Sequence, residues 1–423
     1  MSAKTKKVLQ LGYGMQGKCA LQDILRNDTV KSIVVTDCYE GFEEEISQLG
    51  DPRIVPQRLN AEDTEALAAL MREADVVMEL LPGSFALPVA RVAAEVGVSL
   101  VTSMYLKNPG EQNEQRREEQ SRILKEMDAL AQQKGITLLQ EFGMDPGMDL
   151  VLGKRALEEF EKVEVFHSYG AGFPEKSAAN NPLHYKFTWS IIGVMRSYLR
   201  PATLIRNGKV LHIPAKEMFA PSSTHHLDIP ELGGSLECFP NGDTAHFAEL
   251  FGLGDVREMG RYICRWPGHG TFWQVMAQCG FLSDTPIRVG DASVAPTAFC
   301  AALLGSQKQF FYEKNEKDVA LVRTDVRGIR QGKPSRVIYQ IIDSRDCASG
   351  FTAMQRTVGF PVSMGASMIL DGTITKTGII YPMDVPFDAY ARGLETRNIH
   401  ITRQELPWNG ECSPEAQTSS SGR

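Results

Sequence analysis

The chain has 423 residues, of which 43% are hydrophobic and 23% charged, as in an ordinary soluble globular protein. At roughly 100–200 residues per domain, this length predicts two or three domains with substantial cores. A formal net charge of −7 with scattered Lys and Arg argues against a surface for nucleic acid or anionic lipid. No apolar run approaches the roughly 20 residues that span a bilayer. We therefore expect neither nucleic acid nor a membrane as partner.

The eight cysteines lie far apart, and no C-x-x-C motif occurs. The N-terminal stretch MSAKTKKVLQLG passes directly into a strand-like run, without the apolar region of a signal peptide. Together these features predict reduced thiols and a cytoplasmic location.

Residues 6–150 alternate between short apolar runs and helical patterns. The apolar runs are KVLQLG, SIVVTD, DVVMELL, SLVTSMY and ITLLQEF, and the helical patterns cover 16–26, 62–74, 85–96 and 111–133. Such alternation predicts a parallel sheet with helices on both faces.

After Leu150 turn-forming residues become common, and a second domain with a more antiparallel sheet is expected. Residues 318–343 read as a hairpin, residues 351–370 as a helix and residues 378–382 as a short strand. The polar stretch at the C-terminus predicts a disordered tail.

The stretch LGYGMQGK places Gly12, Gly14 and Gly17 in the G-x-G-x-x-G pattern. It follows a predicted strand and opens a helix, and a second strand ends in Asp37, 20 residues after Gly17. This context is typical of a dinucleotide-binding unit, in which glycines admit the pyrophosphate to the helix N-terminus. Asp37 would accept hydrogen bonds from the adenosine ribose and repel a 2′-phosphate, so NAD is expected rather than NADP. A turn that serves packing alone, with Asp37 as a strand-end cap, is the alternative.

Ligands of parallel sheets lie outside the carboxyl ends of the strands. Three further loops fall at that edge, at residues 81–84, 103–105 and 143–147. In the third, Pro146 biases Asp145 towards an extended backbone, and glycines at 143 and 147 allow a close approach to a ligand.

Several segments, spread in order over nearly the whole chain, resemble the saccharopine dehydrogenases and reductases of the glutamate-forming type and the related lysine 6-dehydrogenases. These segments are TSMYL, GITLLQEFGMDPGMD, NNPLHYKFTWS, CFPNGDT, RYICRWPGHGTFW with GFLSD, and TAMQRTVGFPVSMGASMILDGTI. FGMDPGMD and NPLHYKFTWS are the most specific. RPATLIRNGKV and RWPGH look closer to the lysine 6-dehydrogenase branch, whereas DPG and the Asn-x-Asp of PNGDT look closer to the saccharopine branch.

The resemblance implies an α/β fold with a Rossmann-type parallel sheet domain and a mixed α/β substrate domain whose sheet is largely antiparallel. The Rossmann domain would comprise residues 1–150 and about 350–405, the substrate domain residues 151–349, and the tail residues 406–423. Besides Gly12 and Gly17, the implied cofactor positions are Tyr13, Gly14, Met15, Gln16, Asp37, Leu81, Ser103, Met144, Asp145, Pro146 and Ser190. The implied substrate positions are Tyr105, Asp145, Asn241 and Asp243.

Two departures from the family pattern bear on the substrate. Gly242 stands where the saccharopine pattern commonly has an arginine, and the stretch after GFLSD is shorter than in fungal members.

The expected function is an NAD-dependent oxidoreductase that converts saccharopine to glutamate and aminoadipate semialdehyde. Lysine 6-dehydrogenase, a carboxynorspermidine-type imine reductase and a non-catalytic NAD-binding sensor are the alternatives. A homodimer is expected, as is common for such enzymes.

Oxidation of a secondary amine requires a protein that orients the amine and moves protons while the cofactor takes the hydride. Asp145 and Tyr105 are the predicted catalytic residues, since a carboxylate can hold the ammonium and a phenol can relay a proton. Arg265 can bind a carboxylate in bidentate fashion or serve a structural ion pair. Possible acids or bases, or structural groups, are His184, Lys186 and His269. Asn241 and Asp243 can equally form a turn, and no metal site is predicted.

Overall fold

The computed structural model of the protein describes residues 5–107, 111 and 113–410. Its strands are β1 (Lys6–Leu11), β2 (Val30–Asp37), β3 (Ile54–Arg58), β4 (Val76–Glu79), β5 (Ser99–Thr102), β6 (Thr137–Leu139), β7 (Lys162–Pro174), β8 (Ala202–Arg206), β9 (Lys209–Ile213), β10 (His225–Ile229), β11 (Gly234–Pro240), β12 (Glu258–Arg265), β13 (Ile287–Val289), β14 (Ala292–Val294), β15 (Asp318–Arg330), β16 (Lys333–Ser344), β17 (Gly378–Ile380) and β18 (Ile401–Pro407).

The α-helices of the described residues alternate with these strands. They are α1 (Met15–Ile24), α2 (Phe42–Ser47), α3 (Thr64–Arg72), α4 (Ala86–Val96), α5 (Glu114–Lys134), α6 (Met148–Leu157), α7 (Ile191–Ser197), α8 (Thr244–Phe251), α9 (His269–Gln278), α10 (Pro296–Gly305), α11 (Ala353–Leu370) and α12 (Phe387–Glu395). None of them combines the length and the apolar character that crossing a bilayer requires.

The chain forms two compact units. The first comprises the residues up to Val151 together with Gln355–Ile399, and the second comprises Leu152–Met354 together with the residues from His400 onward. The return segment of the first unit therefore ends before the predicted 405. The reason is that β18 pairs antiparallel with β16, a strand of the second unit. Leu406 and Pro407 of the predicted tail also belong to β18, and residues 411–423 lie outside the described residues.

The first unit is built on a seven-stranded sheet in the order β17-β6-β5-β4-β1-β2-β3. Every pair in it is parallel, as the alternation of apolar runs and helical patterns predicts. β3 was not predicted from the sequence. It is an edge strand with Pro56 inside and Val55 47% exposed, so it lacks the apolar character of the central strands.

The segment Gln355–Ile399 completes the first unit. Strand β17 adds to the edge of the sheet beside β6, and α11 crosses α1 closely, since Gln355 Nε2 donates to Met15 O at 2.8 Å. Asp23 of α1 is buried, and its carboxylate accepts from Nε and Nη2 of Arg397 at 2.7–2.9 Å.

The second unit has a mixed sheet with the main order β10-β11-β12-β7-β15-β16-β18, and β8 and β9 attach beside β12. Among the strand pairs that the described residues form in this sheet, only β7 and β12 run parallel. The predicted largely antiparallel sheet is therefore confirmed. Its core is rich in aromatic side chains, among them Phe173, Tyr185, Phe187 and Trp273, so the alternating aromatics at 185 and 187 serve packing.

Candidate active site

The glycine-rich loop joins β1 to α1 by close backbone contacts. Gly12 has φ +97°, and a Cβ there would lie 2.6 Å from the carbonyl oxygen of Leu80. A Cβ on Gly17 would collide with the carbonyl oxygen of Gly12. Gly14 differs, since it has an ordinary φ of −72°, is exposed, and has open space where a Cβ would stand. Two glycines thus build the turn, and the third leaves a clear approach to the N-terminus of α1.

Gln10 is a residue of this site that the sequence analysis missed. It is fully buried in β1, and its Nε2 donates to the carbonyl oxygens of Gly12 and Gly17, each at 2.9 Å. This amide fixes both ends of the glycine loop. A polar side chain between Leu9 and Leu11 in a buried strand is the signal that marks it.

Asp37 lies at the end of β2, as the fingerprint predicts. Its two carboxylate oxygens accept from the backbone N–H groups of Tyr13 and Cys38, each at 2.7 Å. Arg58 is its register neighbour on β3. The side chain of Asp37 is therefore held beside the glycine loop, with a cation on the adjacent strand.

The loops at the carboxyl edge of this sheet form a continuous row. A Cβ on Gly12 would touch the Leu81 side chain at 3.4 Å, and one on Gly83 would touch the sulfur of Met104 at 3.7 Å. One on Gly143 would lie 3.2 Å from the Cβ of Ser103. The predicted cofactor positions in the first unit are thereby brought together along one edge, which is where such sheets bind ligands.

The loop that carries Asp145 is held tightly by its own backbone. Gly147 has φ +142°, and a Cβ there would overlap the backbone of Gly143. Gly147 N also donates to Asp149 Oδ1 at 2.8 Å. Residues 141–150 are buried except Asp145, which is half-buried. The loop therefore holds Asp145 at the edge of the sheet on a tightly packed backbone.

Tyr105 lies on the neighbouring loop and is half-buried. The residue after it is fixed, because Leu106 N donates to Gln140 Oε1 at 3.0 Å. The adjoining backbone is fixed too, since Glu141 N donates to Met104 O at 3.1 Å. Tyr105 and Asp145 therefore share one cluster of loops.

A second missed residue, Glu79, ends β4 beneath this row of loops. It is fully buried; Oε1 accepts from Leu81 N at 2.9 Å, and Oε2 accepts from the Thr102 hydroxyl. Burial raises the pKa of Glu79 to about 7, although both hydrogen bonds oppose this. One acid inside the apolar run DVVMELL is the signal that sequence analysis passed over.

The predicted substrate positions of the second unit form a turn and a helix cap. Asn241 N donates to Arg261 O at 2.8 Å, and Gly242 has φ +67°. Asp243 caps α8, since its Oδ1 accepts from His246 N at 3.3 Å and from the Thr203 hydroxyl at 2.8 Å. The turn that the residues alone allowed is therefore present, and a role for these residues in substrate binding stays a prediction.

Arg265 lies in a buried aromatic environment in the second unit. It is 5% exposed, and its guanidinium carbon lies 4.9 Å from the centre of the Tyr185 ring. Nη1 donates to Cys264 O at 2.9 Å, whereas Nε is buried without a hydrogen-bond partner. Among the described residues Arg265 forms no ion pair with a carboxylate, so the alternative of a structural ion pair is wrong.

The phenol of Tyr198 connects Arg265 to His269. Tyr198 interacts with the guanidinium, and its oxygen lies 2.7 Å from His269 Nε2. His269 Nδ1 lies 3.1 Å from the Leu183 carbonyl oxygen, which can only accept, so Nδ1 carries the proton. Burial, and then the charge of Arg265, lower the pKa of His269 to about 3. The imidazole is therefore neutral and structurally engaged at neutral pH.

The remaining predicted residues of the second unit have structural partners or positions of their own. Lys186 is buried and pairs with Glu316, with both carboxylate oxygens 2.6 Å from Nζ. The Ser190 hydroxyl caps α7 by accepting from Gly193 N at 3.1 Å. His184 is exposed. A cofactor role for Ser190 stays a prediction.

Family models match the chain over nearly its whole length. The saccharopine dehydrogenase NADP binding domain matches residues 8–139, and the saccharopine dehydrogenase C-terminal domain matches residues 143–399. The chain belongs to the saccharopine dehydrogenase family. The resemblance deduced from its motifs is thereby confirmed, and the first unit contains a dinucleotide-binding domain.

Two relatives illustrate the similarity. The chain is 28% identical to the mitochondrial alpha-aminoadipic semialdehyde synthase of Bos taurus, over 89% of this chain and 45% of that protein. It is 25% identical to the saccharopine dehydrogenase [NADP(+), L-glutamate-forming] of Pyricularia oryzae, over 90% of this chain and 94% of that one. The chain thus spans less than half the length of its bovine relative.

A solved structure has the same fold. The apo saccharopine dehydrogenase (L-Glu forming) from Saccharomyces cerevisiae superposes with a TM-score of 0.79 and 22% identity, covering 95% of this chain and all of that one. The expected α/β fold is therefore confirmed.

The three glycines of the fingerprint offer a matched test of the site. Gly14→Ala should leave the melting temperature nearly unchanged, because nothing lies within 4 Å of the added Cβ, yet weaken dinucleotide binding if the pyrophosphate approaches there. Gly17→Ala should lower the melting temperature, because its Cβ meets the Gly12 carbonyl. Thermal denaturation and calorimetric titration with NADH and NADPH measure both effects. Unaltered dinucleotide affinity in Gly14→Ala would contradict the assignment.

Proposed function

We propose that the protein is a dinucleotide-dependent oxidoreductase acting on the CH–NH bond of saccharopine, with glutamate and aminoadipate semialdehyde as products. The observation that carries the proposal is the half-buried Asp145 carboxylate, held on a rigid loop in line with the glycine loop. The names of the Pyricularia and yeast relatives, both saccharopine dehydrogenases of the L-glutamate-forming type, support the same reaction.

The chemistry assigns distinct tasks to cofactor and protein. The dinucleotide supplies the hydride acceptor for oxidation of the secondary amine. Asp145 holds the protonated amine of the substrate in register by a charge-assisted hydrogen bond, and Tyr105 relays the proton that the nitrogen releases. Loss of hydride and proton leaves an imine, to which water adds before the carbon–nitrogen bond breaks. The buried neighbours of Asp145 give this charge pair a poorly solvated environment, in which it is stronger.

Lysine 6-dehydrogenase, carboxynorspermidine-type imine reductase and a non-catalytic dinucleotide sensor are the competing functions. The two enzymes differ from the proposed one in the amine substrate that reduces the dinucleotide, and the sensor would oxidise no amine. Formation of NADH or NADPH with saccharopine, lysine and carboxynorspermidine therefore separates them. Turnover of lysine but not saccharopine would replace the proposed substrate, and no turnover with any amine would favour the sensor.

Replacement of Asp145 tests the role of the carboxylate. Asp145→Asn keeps the size of the side chain and removes its charge, so kcat/KM for saccharopine should fall by about 100-fold or more. The dissociation constant of the dinucleotide should stay within about threefold, because backbone contacts dominate its binding. Steady-state kinetics and calorimetric titration provide the two readouts.

Glu118→Gln at an exposed position of α5 is a matched loss of one negative charge. It should behave as the wild type. Full turnover in a folded Asp145→Asn variant would refute the role of Asp145.

NAD is the proposed cofactor, although the matching family domain is described as NADP-binding and several relatives are named for NADP(+). Asp37 favours NAD electrostatically, since it puts a carboxylate at the end of β2 beside the glycine loop, where a 2′-phosphate would be repelled. Arg58, its register neighbour, carries the opposite charge and would favour a 2′-phosphate. The balance of these two side chains decides the preference.

Single replacements separate the two charges. Asp37→Ala should raise kcat/KM for NADP⁺ relative to NAD⁺ by roughly tenfold, because the repulsion of the 2′-phosphate is lost. Arg58→Ala should leave NAD⁺ kinetics unchanged. If the wild type instead prefers NADP⁺ and Arg58→Ala abolishes that preference, the protein is an NADP enzyme and the role of Asp37 is wrong.

Arg265 is the proposed ligand for a substrate carboxylate. A buried guanidinium without a carboxylate partner is costly, and an anionic ligand would offset that cost. The hydroxyl oxygen of Tyr312 is likewise buried without a hydrogen-bond partner. Burial raises the pKa of Tyr312, and the charge of Arg265 opposes that rise. A buried cation and a buried donor of this kind suit the carboxylates of an amino-acid substrate.

Arg265→Lys tests this assignment with a change that preserves the charge. The loss of bidentate geometry should raise KM for saccharopine by about tenfold or more, with the dinucleotide affinity unchanged. An unchanged KM in Arg265→Lys would make the arginine structural.

A homodimer and a cytoplasmic location complete the proposal. Cys38, Cys279 and Cys347 are exposed free thiols, which suit a reducing compartment.

A further inference from the structure

Glu79 joins two loops of the carboxyl edge through a chain of hydrogen bonds. Its Oε1 accepts from Leu81 N, in the loop after β4. Its Oε2 accepts from the Thr102 hydroxyl at the end of β5. The Thr102 oxygen in turn accepts from Met104 N at 3.0 Å, in the loop after β5. One carboxyl group thus fixes the backbone on both sides of the gap between two strands.

Both loops belong to the row that begins at the glycine turn. A Cβ on Gly12 would meet Leu80 and Leu81, and a Cβ on Gly83 would meet Met104. Any shift of the backbone at Leu81 or Met104 would therefore change the surface that a dinucleotide meets beyond the glycine turn.

Burial of a carboxyl group in an otherwise apolar strand lowers the stability of the fold unless hydrogen bonds replace its lost hydration. Glu79 shares its face of the sheet with Val77, and its register neighbours are Leu11 and Thr102, neither of which is charged. The helices α3, α4 and α5 cover this face. Their charged residues, among them Arg72, Arg91 and Arg122, are exposed, except for the half-buried Asp128 of α5, which accepts from Gln132 Nε2 and Ile379 N. No cation compensates Glu79 from these elements, so its stabilising partners are the two donors from the loops.

We propose that Glu79 is a positioning residue for the dinucleotide: together with Thr102 it holds the loops at Leu81 and Met104 in the arrangement that binds the cofactor. The proposal concerns binding alone and requires no particular amine substrate. It therefore stands or falls separately from the proposed reaction.

Removal of either partner should weaken cofactor binding. Glu79→Leu and Thr102→Val each leave a loop N–H without its acceptor, and the dissociation constant of the dinucleotide should rise roughly tenfold. The double variant should lose less affinity than the sum of the two single losses, because the Glu79–Thr102 hydrogen bond is broken by either change and is counted twice in the sum. Glu79→Gln keeps an acceptor for Leu81 N and a donor towards Thr102, so it should remain within about threefold of wild type.

Thr137→Val is the matched control in the same sheet, at the amino end of a strand and not at the carboxyl end. Thr137 begins β6, is 4% exposed, and its hydroxyl donates to Lys376 O at 2.8 Å. Its loss should lower the melting temperature by an amount comparable to Thr102→Val and leave dinucleotide affinity unchanged. Calorimetric titration with NADH and NADPH, without an amine, gives the affinities, and thermal denaturation gives the stabilities.

The pH profile supplies a readout that a merely structural role would not move. Burial raises the pKa of Glu79, so the carboxyl group ionises as the pH rises through neutrality and adds negative charge beneath a site for two phosphates. Wild-type affinity should therefore fall between pH 6 and pH 8.5, and Glu79→Gln should be flat over that range. A folded Glu79→Leu variant with wild-type affinity, or identical pH profiles in wild type and Glu79→Gln, would overturn the proposal.

Discussion

Close approach between backbones at the glycine turn is the constraint on which the first unit depends. Gly12 lies against the Leu80 carbonyl, Gly17 lies against the Gly12 carbonyl, and neither contact leaves room for a side chain. The Gln10 amide then fixes both carbonyls of the turn from within β1. Because these contacts set where β4 lies relative to α1, they also set the positions of the loops that continue the row towards Asp145.

Buried polar side chains have different partners in the two units. In the first, Glu79 and Gln10 use their hydrogen bonds to hold backbone in loops at the edge of the sheet. In the second, Asp325 is fully buried and lies between Arg327 and Arg336, a compensated cluster. Arg265 has no carboxylate within ion-pair distance among the described residues, and its buried Nε lacks a hydrogen-bond partner. That contrast within one unit separates a structural arginine from one suited to an incoming anion.

Much of this was predictable from the sequence because the signals are local. The glycine spacing and Asp37 require particular backbone geometry, and the apolar runs predict buried parallel strands. Gln10 and Glu79 were missed because a single polar residue in an apolar run has no periodicity of its own; its partners lie on other strands or loops. β18 was assigned to the wrong unit for a similar reason, since pairing with β16 is a long-range choice that the segment does not encode locally.

The pairing of Asp23 with Arg397 has a consequence for how the protein is made. Residues 152–354 leave the ribosome before Gln355–Ile399, so the first sheet waits with β6 as an unpaired edge until β17 is synthesised. During that interval the acid in α1 lacks the arginine that later neutralises it. Completion of the nucleotide domain is therefore a late event in biosynthesis, and nascent chains that stop short of Gly378 leave the β6 edge of the sheet unpaired.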